Sequence, residues 1–432
     1  MQNIQKPNQI NAIQSGALWM DDTHRHIQAH GGGILYNKAD HTYYWYGEHK
    51  GEDNIPSWGY EGVPATGVSC YSSKDLYNWK NEGVALPVFN NPKYAEADST
   101  GSDDTPLYVA ESSEEYQNSP LPDYTPLTDY ATKSPAATLE KYNSPERIQE
   151  LNALYAGKTF EEKKALYKEF NWNRVVERPK VVYNEKTKKY VMWFHSDGPR
   201  VGEYTVAAGG VAISDSPAGP FTYLGCMRMP ETGYYTQNPG MLRDMTLFVD
   251  DDHSAYLIFA SEENATTVIQ KLNDDYTAPS GNVEGKDFIR IFTAESDYHY
   301  REAPAIFKEE GNYYMITSGQ SGWAPNRANY AVSTNGILGD WVNKGDPCVG
   351  DNSETSTTFQ SQSTFVLPYR DNDGNPVKGK FIYMGDRWIS NNLKDSRYIW
   401  LPIELDQDTQ TIRIRWSDSW KIEDYIPHAN GK

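Results

Sequence analysis

One short pattern occurs five times along this chain of 432 residues. Each copy starts with a polar or charged residue and continues as a strand of small, apolar or β-branched residues. An aromatic-rich strand follows about ten residues later. The five openings are AHGGGILY (29–36), ERPKVVY (177–183), RDMTLFV (243–249), EAPAIFK (302–308) and SQSTFVL (361–367). A strand pair repeated in this way predicts one blade per copy, so five copies predict an all-β fold, the five-bladed β-propeller.

The partner strands indicate the same architecture. They are HTYYWYGE (41–48), KKYVMWFH (188–195), SAYLIFAS (254–261), GNYYMITSG (311–319) and KFIYMGDRW (380–388). Their Tyr and Trp residues suit sheet surfaces, and most of these rings are expected to pack between blades. Because propellers run long as single domains, we expect a polar N-terminal segment (1–14) and one propeller catalytic domain (15–432). The alternating segment 411–425 is expected to return to blade one and close the ring.

Between blades one and two lies an insertion, at about residues 89–172, that interrupts the repeat. Its second half has a helical pattern, in which Ser144 can cap a helix whose first turn contains Pro145. Gly157 separates this helix from a second one that begins near Thr159. The predicted apolar face of the first helix comprises Ile148, Leu151, Leu154 and Tyr155. The sequence leaves two roles open, a lid over the central funnel or a decoration packed on the side of the propeller.

Charge and cysteine content narrow the class of protein. A formal net charge of −19 repels phosphate backbones and anionic membranes, so nucleic acid is not an expected partner, whereas a neutral glycan is compatible. No stretch approaches the ~18 apolar residues of a membrane span. The three cysteines show no zinc spacing and no disulfide framework. The N-terminus lacks a signal-peptide pattern, and we expect a mature, secreted or periplasmic chain that is a monomer.

The first residues of innermost strands lie around the axis of a propeller, so they are expected to line one central pocket. Here these residues are His30, Glu177, Asp244, Glu302 and Gln362. Hydrolysis of a glycosidic bond needs a proton donor at the leaving oxygen and a base or nucleophile on the other face of the sugar. Three carboxylates and an amide at one funnel therefore indicate chemistry on a sugar.

Each of these polar residues has a predicted role. Glu302 is the expected general acid, on a strand whose backbone Pro304 is expected to hold extended, and Asp244 is the negative neighbour expected to raise its pKa. Glu177 is expected to act as the base or to bind sugar hydroxyls. Gln362 is expected to orient the attacking water and to pass on its proton as an imidic acid, with plain hydrogen bonding to substrate as the alternative.

Further residues are predicted to bind substrate around this set. Gly31 allows the backbone to approach a ligand closely, and His30 can donate to a hydroxyl, although a packed histidine in a tight turn is the alternative. Trp323, in the loop SGWAPN, is placed to stack on a sugar. The remaining predicted contacts are Glu48, Asn326, Asp386 and Arg387, with Trp388 beside them. No metal ligand or cofactor is predicted, although a structural calcium or sodium ion on the axis would be compatible with the fold.

Taken together, the motifs resemble glycoside hydrolase family 43, and within it the exo-β-1,3-galactanases. The motifs that carry the resemblance are HGGGILY, YYWYGE, CYSSKDLYNW, VERPKVVYN, RDMTLFVDDD, REAPAIF, SGWAPN, SQSTFV and YMGDRW. Their order matches over nearly the whole chain except the insertion. The resemblance implies an inverting enzyme that releases galactose from the non-reducing end of β-1,3-galactan in arabinogalactan.

The same resemblance carries roles onto individual positions. The family's pKa-tuning Asp in blade three and acid Glu in blade four match Asp244 and Glu302. The usual Asp base in blade one has no counterpart here. The galactanase subgroup also lacks it and implicates a Glu in blade two and a Gln in blade five, which match Glu177 and Gln362.

Two other functions stay open at this point. An α-L-arabinofuranosidase or a β-xylosidase would share the fold, because a fold does not determine the sugar. The missing blade-one Asp is also compatible with a non-catalytic propeller that only binds glycan.

Overall fold

A computed structural model describes residues 10–51, 55–57, 60–95, 98–110, 113, 139, 141–198, 204–230, 240–293, 300–371 and 373–425. The strands form five blades, of which four have four antiparallel strands and one has five, its outermost strand pairing in parallel. The innermost strand of each blade contacts that of the next, and the fifth contacts the first, so the ring is closed. The predicted all-β, five-bladed propeller is therefore confirmed.

The blades follow one another along the chain, each running from the axis outward. Blade one comprises His30–Asn37, Thr42–Glu48, Gly67–Ser73 and Lys80–Pro87, and blade two comprises Val175–Asn184, Lys189–Asp197, Ala208–Ser214 and Thr222–Met227. Blade three comprises Arg243–Val249, Ala255–Ser261, Thr266–Lys271 and Phe288–Ile291, and blade four comprises Arg301–Glu309, Asn312–Gly319, Asn329–Ser333 and Val342–Gly345. Blade five comprises Gln362–Arg370, Pro376–Arg387, Arg397–Asp406, Thr411–Arg415 and Cys348–Val349.

Smaller elements complete the chain. A short hairpin joins Ile55–Ser57 to Tyr60–Gly62. The 3₁₀ helices are Pro92–Tyr94, Thr355–Thr357 and Leu393–Asp395, and the two described α-helices are Pro145–Ala153 and Phe160–Glu169. Neither of these α-helices is long and apolar enough to cross a membrane.

The C-terminal segment does not join blade one, although the sequence predicted that it would close the ring of blades there. Thr411–Arg415 is the fourth strand of blade five and not a strand of blade one. Its alternate residues, Ile412 and Ile414, are buried in a core cluster with neighbouring residues of the same blade, which decides the partner sheet. The chain ends still meet, because Ser419–Trp420 pairs with Ile13–Gln14.

A β-bulge lies near the head of every innermost strand. The pairing register shifts after His30, Glu177, Arg243, Glu302 and Ser363. A bulge bends its strand and re-aims the side chains beside it, which is why bulges occur next to active sites. The repeat seen in the sequence is thus a repeat of strand heads that turn polar side chains toward the axis.

Two of these bulges overturn the prediction of an extended backbone at the head of the strand. Ala303 and Arg178 precede Pro304 and Pro179, yet they have positive φ angles of 53° and 55°. The left-handed conformation is uncommon for residues other than glycine. Because the bulge needs one residue in this conformation, the closed ring prevails over the local preference of a residue before proline.

The described part of the insertion packs on the side of the propeller. Ser144 caps the first helix by accepting from the backbone N–H of Arg147, and Thr159 forms a capping box with Glu162 at the second, as their positions predicted. Ile148, Leu151 and Tyr155 are buried in one cluster with the outer strands of blades one and two, whereas Leu154 is 36% exposed, contrary to the predicted face. The decoration alternative therefore holds for these residues.

We predict that Phe170→Ala destabilises the propeller strongly. Phe170 is fully buried, stacks on Tyr223 at 4.6 Å and lies 5.4 Å from Phe194, so its removal leaves a cavity between the insertion and blade two. The expected cost is about 3–5 kcal/mol, read as a lower midpoint of urea unfolding. Leu154→Ala, on the exposed side of the same insertion, is the control and should cost only ~0.5 kcal/mol. Similar losses in both variants would contradict the packing described here.

Candidate active site

The heads of the innermost strands open into a cavity of ≈ 260 Å³. All five blades contribute to its wall. The predicted residues that line it are Glu48, Glu177, Asp244, Glu302, Trp323 and Gln362, and Trp388 joins them. The sequence pattern therefore located this site, because residues at the strand heads of different blades come together in one place.

The environment of Glu302 disfavours the charged form of its carboxyl. Burial is the main cause, and the negative charge of Asp244 adds to it, so that the pKa of Glu302 rises to about 8 in spite of the nearby Arg178. The Nδ2 of Asn264 donates a hydrogen bond to Oε1 of Glu302 at 2.6 Å and fixes the orientation of the group. Near neutral pH this side chain holds a proton that it can donate.

Arg178 connects the groups around the cavity. Its guanidinium donates to Oε1 of Gln362 and, at 2.9 Å, to the main-chain oxygen of Ser363, and it lies 3.3 Å from Oδ2 of Asp244. Its backbone N–H donates to Oε1 of Glu48 at 2.9 Å. The left-handed backbone at the bulge directs the side chain across the axis.

Gln362 is held as an amide by its partners. Its Oε1 accepts from Arg178 and, at 2.9 Å, from Nε1 of Trp388, and its Nε2 donates to Oγ of Ser318 at 3.0 Å. Two donors on the oxygen leave no place for the hydroxyl of an imidic acid. The other N–H of the amide has no acceptor among the described residues, so the side chain is suited to orienting a ligand.

The environment of Glu177 favours the charged form of its carboxyl. Tyr204 donates to its Oε1 at 2.9 Å, Nδ1 of His195 lies 3.4 Å from its Oε2, and Nζ of Lys50 lies 4.0 Å from Oε1. Burial alone would raise the pKa of Glu177, but the interactions with His195, Lys50 and Tyr204 lower it to about 2. The group is therefore ionised throughout the ordinary pH range.

His195 is the counterpart of this carboxylate. Its Nε2 lies 2.8 Å from Oδ2 of Asp197, at the far side of the ring from Glu177. Burial alone would lower the pKa of His195, but the carboxylates of Asp197 and Glu177 raise it to about 9. The ring is therefore an imidazolium at neutral pH.

Glu177, His195 and Asp244 are close enough to share a cation, with one ligand atom each within 4.8 Å of the others. A cation would have to displace a proton from His195, and the carboxylates of Asp197 and Glu177 favour that proton by raising the pKa of the ring. We therefore do not identify these residues as metal ligands.

Two tryptophans form the apolar part of the wall. The rings of Trp323 and Trp388 meet edge to face with centroids 5.0 Å apart. Nζ of Lys50 lies 5.5 Å from the centroid of Trp323, and the guanidinium of Arg178 lies 5.9 Å from that of Trp388. Aromatic faces beside polar groups are suited to the apolar faces and hydroxyls of a sugar ring.

Two residues predicted to bind substrate lie outside the cavity wall. The side chain of Asn326 hydrogen-bonds within its own loop. It accepts from the N–H of Gly319 at 2.7 Å and donates to the carbonyl of Gly319 at 2.9 Å. Arg387 donates to the main-chain oxygen of Phe359 at 2.8 Å and pairs with Glu354. Arg387 lies one position beyond Asp386 on the strand, and successive side chains on a strand point in opposite directions.

Three other predicted contacts lie beneath the wall. His30 is fully buried and stacks on Tyr398 at 5.1 Å, which is the packed alternative considered from the sequence. Gly31 donates its N–H to Asp386 at 3.1 Å, and burial raises the pKa of Asp386 to about 7. A β-carbon on Gly31 would come within 2.2 Å of Oε1 of Glu48, so the glycine makes room for that carboxylate and not for a ligand.

Seven described residues of the cavity wall were not among those predicted from the sequence, namely Arg178, His195, Tyr204, Arg243, Asn264, Gln320 and Gly322. His195 lies opposite the strand head Glu177, at the position that Glu48 holds in blade one and Asp386 in blade five, so the repeat did carry a signal for it. Tyr204 and Asn264 lie in connections between strands, where the repeat has no fixed spacing. Only the folded ring brings them next to the strand heads.

Comparison with known proteins agrees with the geometry. The model of glycosyl hydrolases family 43 matches residues 179–367. A family 43 β-1,3-galactosidase solved with galactodeoxynojirimycin is 33% identical, with a TM-score of 0.65, over 95% of this chain and 100% of that chain. The chain belongs to glycoside hydrolase family 43, and the predicted membership is confirmed.

Two further solved structures are similar. An exo-β-1,3-galactanase from Phanerochaete chrysosporium, solved with galactose, is 29% identical with a TM-score of 0.63, over 95% of this chain and 68% of that one. An exo-β-1,3-galactanase from Clostridium thermocellum is 28% identical with a TM-score of 0.63, over 95% and 66%. The chain thus spans about two thirds of these two proteins. No curated protein sequence matches it.

We predict that Glu302→Gln stabilises the protein as the pH rises. The pKa of Glu302 is raised in the folded state, so the native protein loses stability from about pH 4.5, where the unfolded carboxyl ionises, up to about pH 8. Glutamine does not ionise, so the variant does not lose this stability as the pH rises. Thermal unfolding should show the variant's advantage in Tm widening across this interval. An advantage that is constant with pH would contradict the raised pKa.

Proposed function

We propose that this protein is an exo-acting, inverting galactan 1,3-β-galactosidase that releases galactose from the non-reducing end of the β-1,3-galactan backbones of arabinogalactan. The observation that carries this proposal is the pair of carboxyls with opposite protonation in one cavity. Glu302 is held neutral and Glu177 is held ionised near pH 7. Titratable groups whose environments separate their pKa values in this way are suited to acid and base roles.

The size of the cavity supports the exo mode. Ligand pockets usually measure about 300–1,000 Å³, and this one, at ≈ 260 Å³, suits a single sugar ring. A chain end can enter such a cavity, whereas the middle of a polymer cannot pass through it. The galactose and galactodeoxynojirimycin in similar structures support galactose as the ring that is bound.

In the proposed reaction Glu302 protonates the departing glycosidic oxygen. The N–H of Asn264 stays on Oε1 of Glu302, which leaves Oε2 to carry the transferred proton. A water attacks the opposite face of the sugar and the configuration inverts. Galactose leaves together with a galactan chain that is one residue shorter.

The water is oriented by Gln362 and loses its proton to Glu177. Both lone-pair directions of the Gln362 oxygen are occupied by Arg178 and Trp388, so the amide can donate but not readily accept a proton. Glu177 is an anion in the same cavity wall. This assignment replaces the imidic-acid route for Gln362.

Location, partners and cofactors follow from the substrate. We propose that the protein meets arabinogalactan outside the cytoplasm, as a secreted or periplasmic monomer. Acid–base hydrolysis by these side chains needs neither a metal ion nor an organic cofactor.

The first test is a substrate panel. Purified protein is incubated with β-1,3-galactan, aryl arabinofuranoside and aryl xyloside. We expect galactose as the first and main product from galactan, and Glu302→Gln should reduce its release by about 10²–10⁴-fold, since it removes the general acid. Release of arabinose or xylose without galactose would favour the other glycosidases of this fold. Binding of galactan without turnover of any substrate would favour a glycan-binding propeller.

The second test separates Glu177 from Gln362. Glu177→Ala and Gln362→Ala should both lose most turnover on galactan, by about 10²-fold or more. Azide needs no base, so it should restore reaction in the Glu177 variant and yield galactosyl azide of inverted configuration, identified by NMR. Azide rescue of the Gln362 variant alone would assign the base to Gln362. A product that retains configuration would refute the inverting mechanism.

A further inference from the structure

A buried carboxylate behind the cavity wall organises the groups that hold Glu177. Asp197 ends the second strand of blade two and has 0% exposed surface. Its Oδ2 lies 2.8 Å from Nε2 of His195. Its Oδ1 accepts three main-chain hydrogen bonds of 2.8–3.0 Å, from Gly198, Val206 and Ala207. One carboxylate thus anchors both ends of the connection to the third strand.

Two neighbours of Glu177, the ring of His195 and the hydroxyl of Tyr204, depend on this carboxylate. Nδ1 of His195 lies 3.4 Å from Oε2 of Glu177, on the opposite side of the ring from Asp197. Tyr204 donates to Oε1 of Glu177 at 2.9 Å. It lies two positions before Val206, whose N–H donates to Asp197. Ala207 has a φ of 44°, a conformation that an alanine adopts only when its surroundings impose it.

We propose that Asp197 is a positioning residue for the proposed hydrolysis, which keeps Glu177 ionised and directed into the cavity through His195 and Tyr204. The kinetic consequence rests on the proposed function. The protonation of the His195 ring does not, because it can be observed without turnover.

The other charged groups around this array favour the same arrangement. Lys50 faces Glu177 and pairs with Glu48 at 2.9 Å, and Nε of Arg243 lies 3.9 Å from Oδ2 of Asp197. The carboxylates here are Glu48, Glu177, Asp197, Asp244 and Glu263, which pairs with Arg243 at 3.1 Å, and the permanent cations are Lys50, Arg178 and Arg243. Since the carboxylates outnumber these cations, their field favours a positive charge on the ring of His195.

The ring is first examined in the wild-type protein by NMR. Histidine side chains are labelled with ¹⁵N, and His195 is assigned from the signal that disappears in His195→Gln. We expect both ring nitrogens to be protonated at pH 7 and the ring to titrate near pH 9, the pKa that the two carboxylates impose. A neutral ring at pH 7 would overturn the proposal, whatever the enzyme's substrate.

The second experiment uses Asp197→Asn. Asparagine keeps an oxygen for the three backbone N–H groups but removes the charge, and its N–H₂ can donate to Nε2 of His195. We expect His195 to become neutral at pH 7 and the acid limb of kcat/KM to move up by about 1–3 pH units, the usual effect of a close opposite charge on a carboxylate. An unchanged acid limb would overturn the proposal.

Asp287→Asn is the matched control. Asp287 is also a buried carboxylate that anchors a loop, accepting from the N–H of Val283 at 3.0 Å and from Oγ of Ser280 at 3.3 Å. It is absent from the cavity wall. The control should lower Tm and leave both the His195 signal and the pH profile unchanged. An equal shift of the acid limb in both variants would show that general destabilisation, and not the charge of Asp197, causes it.

Discussion

The buried contacts of Arg178 hold the centre of this propeller together. A single residue of blade two reaches carboxylates of blades one and three and an amide of blade five. A buried cation is stable only when it is paired and hydrogen-bonded, and the closed ring of strands brings these partners together. Removing any partner would leave charge or polar surface without compensation, so the site and the fold are linked by the same contacts.

Two glutamates in the same cavity, Glu302 and Glu177, have opposite protonation states near neutral pH. Glu302 lies next to Asp244, so its environment disfavours a second negative charge. Glu177 lies beside an imidazolium, an ammonium and a phenol, so its environment favours a negative charge. Both groups line the same cavity, and the difference comes from the side chains that surround each of them. This separation is what allows neutral and ionised carboxyls to coexist near pH 7.

The repeat explains how much of this could be predicted. A β-strand head followed by an aromatic strand is a local signal, and its five copies predicted both the ring and the positions Glu177, Asp244, Glu302 and Gln362. The predictions were wrong where they relied on nearby sequence but the position of the side chain depended on the folded loop or strand. Asn326 and Arg387 have polar side chains that could bind a sugar, and they lie close in sequence to residues of the site. The side chain of Asn326 bonds to its own loop instead, and that of Arg387 points to the other side of its strand. Tyr204 reaches Glu177 from a connection whose length does not repeat, whereas His195 lies opposite Glu177 on the neighbouring strand.

The sequence by itself determined the five-bladed architecture and the strand heads that face the axis, because hydrophobic alternation and turn residues act over a few neighbouring positions. Only the tertiary structure decided which carboxyl keeps its proton and which loses it. That outcome depends on burial and on charges contributed by distant parts of the chain. The same is true of the left-handed backbone at Arg178 and Ala303, where closure of the ring prevails over the local preference of the residue before proline.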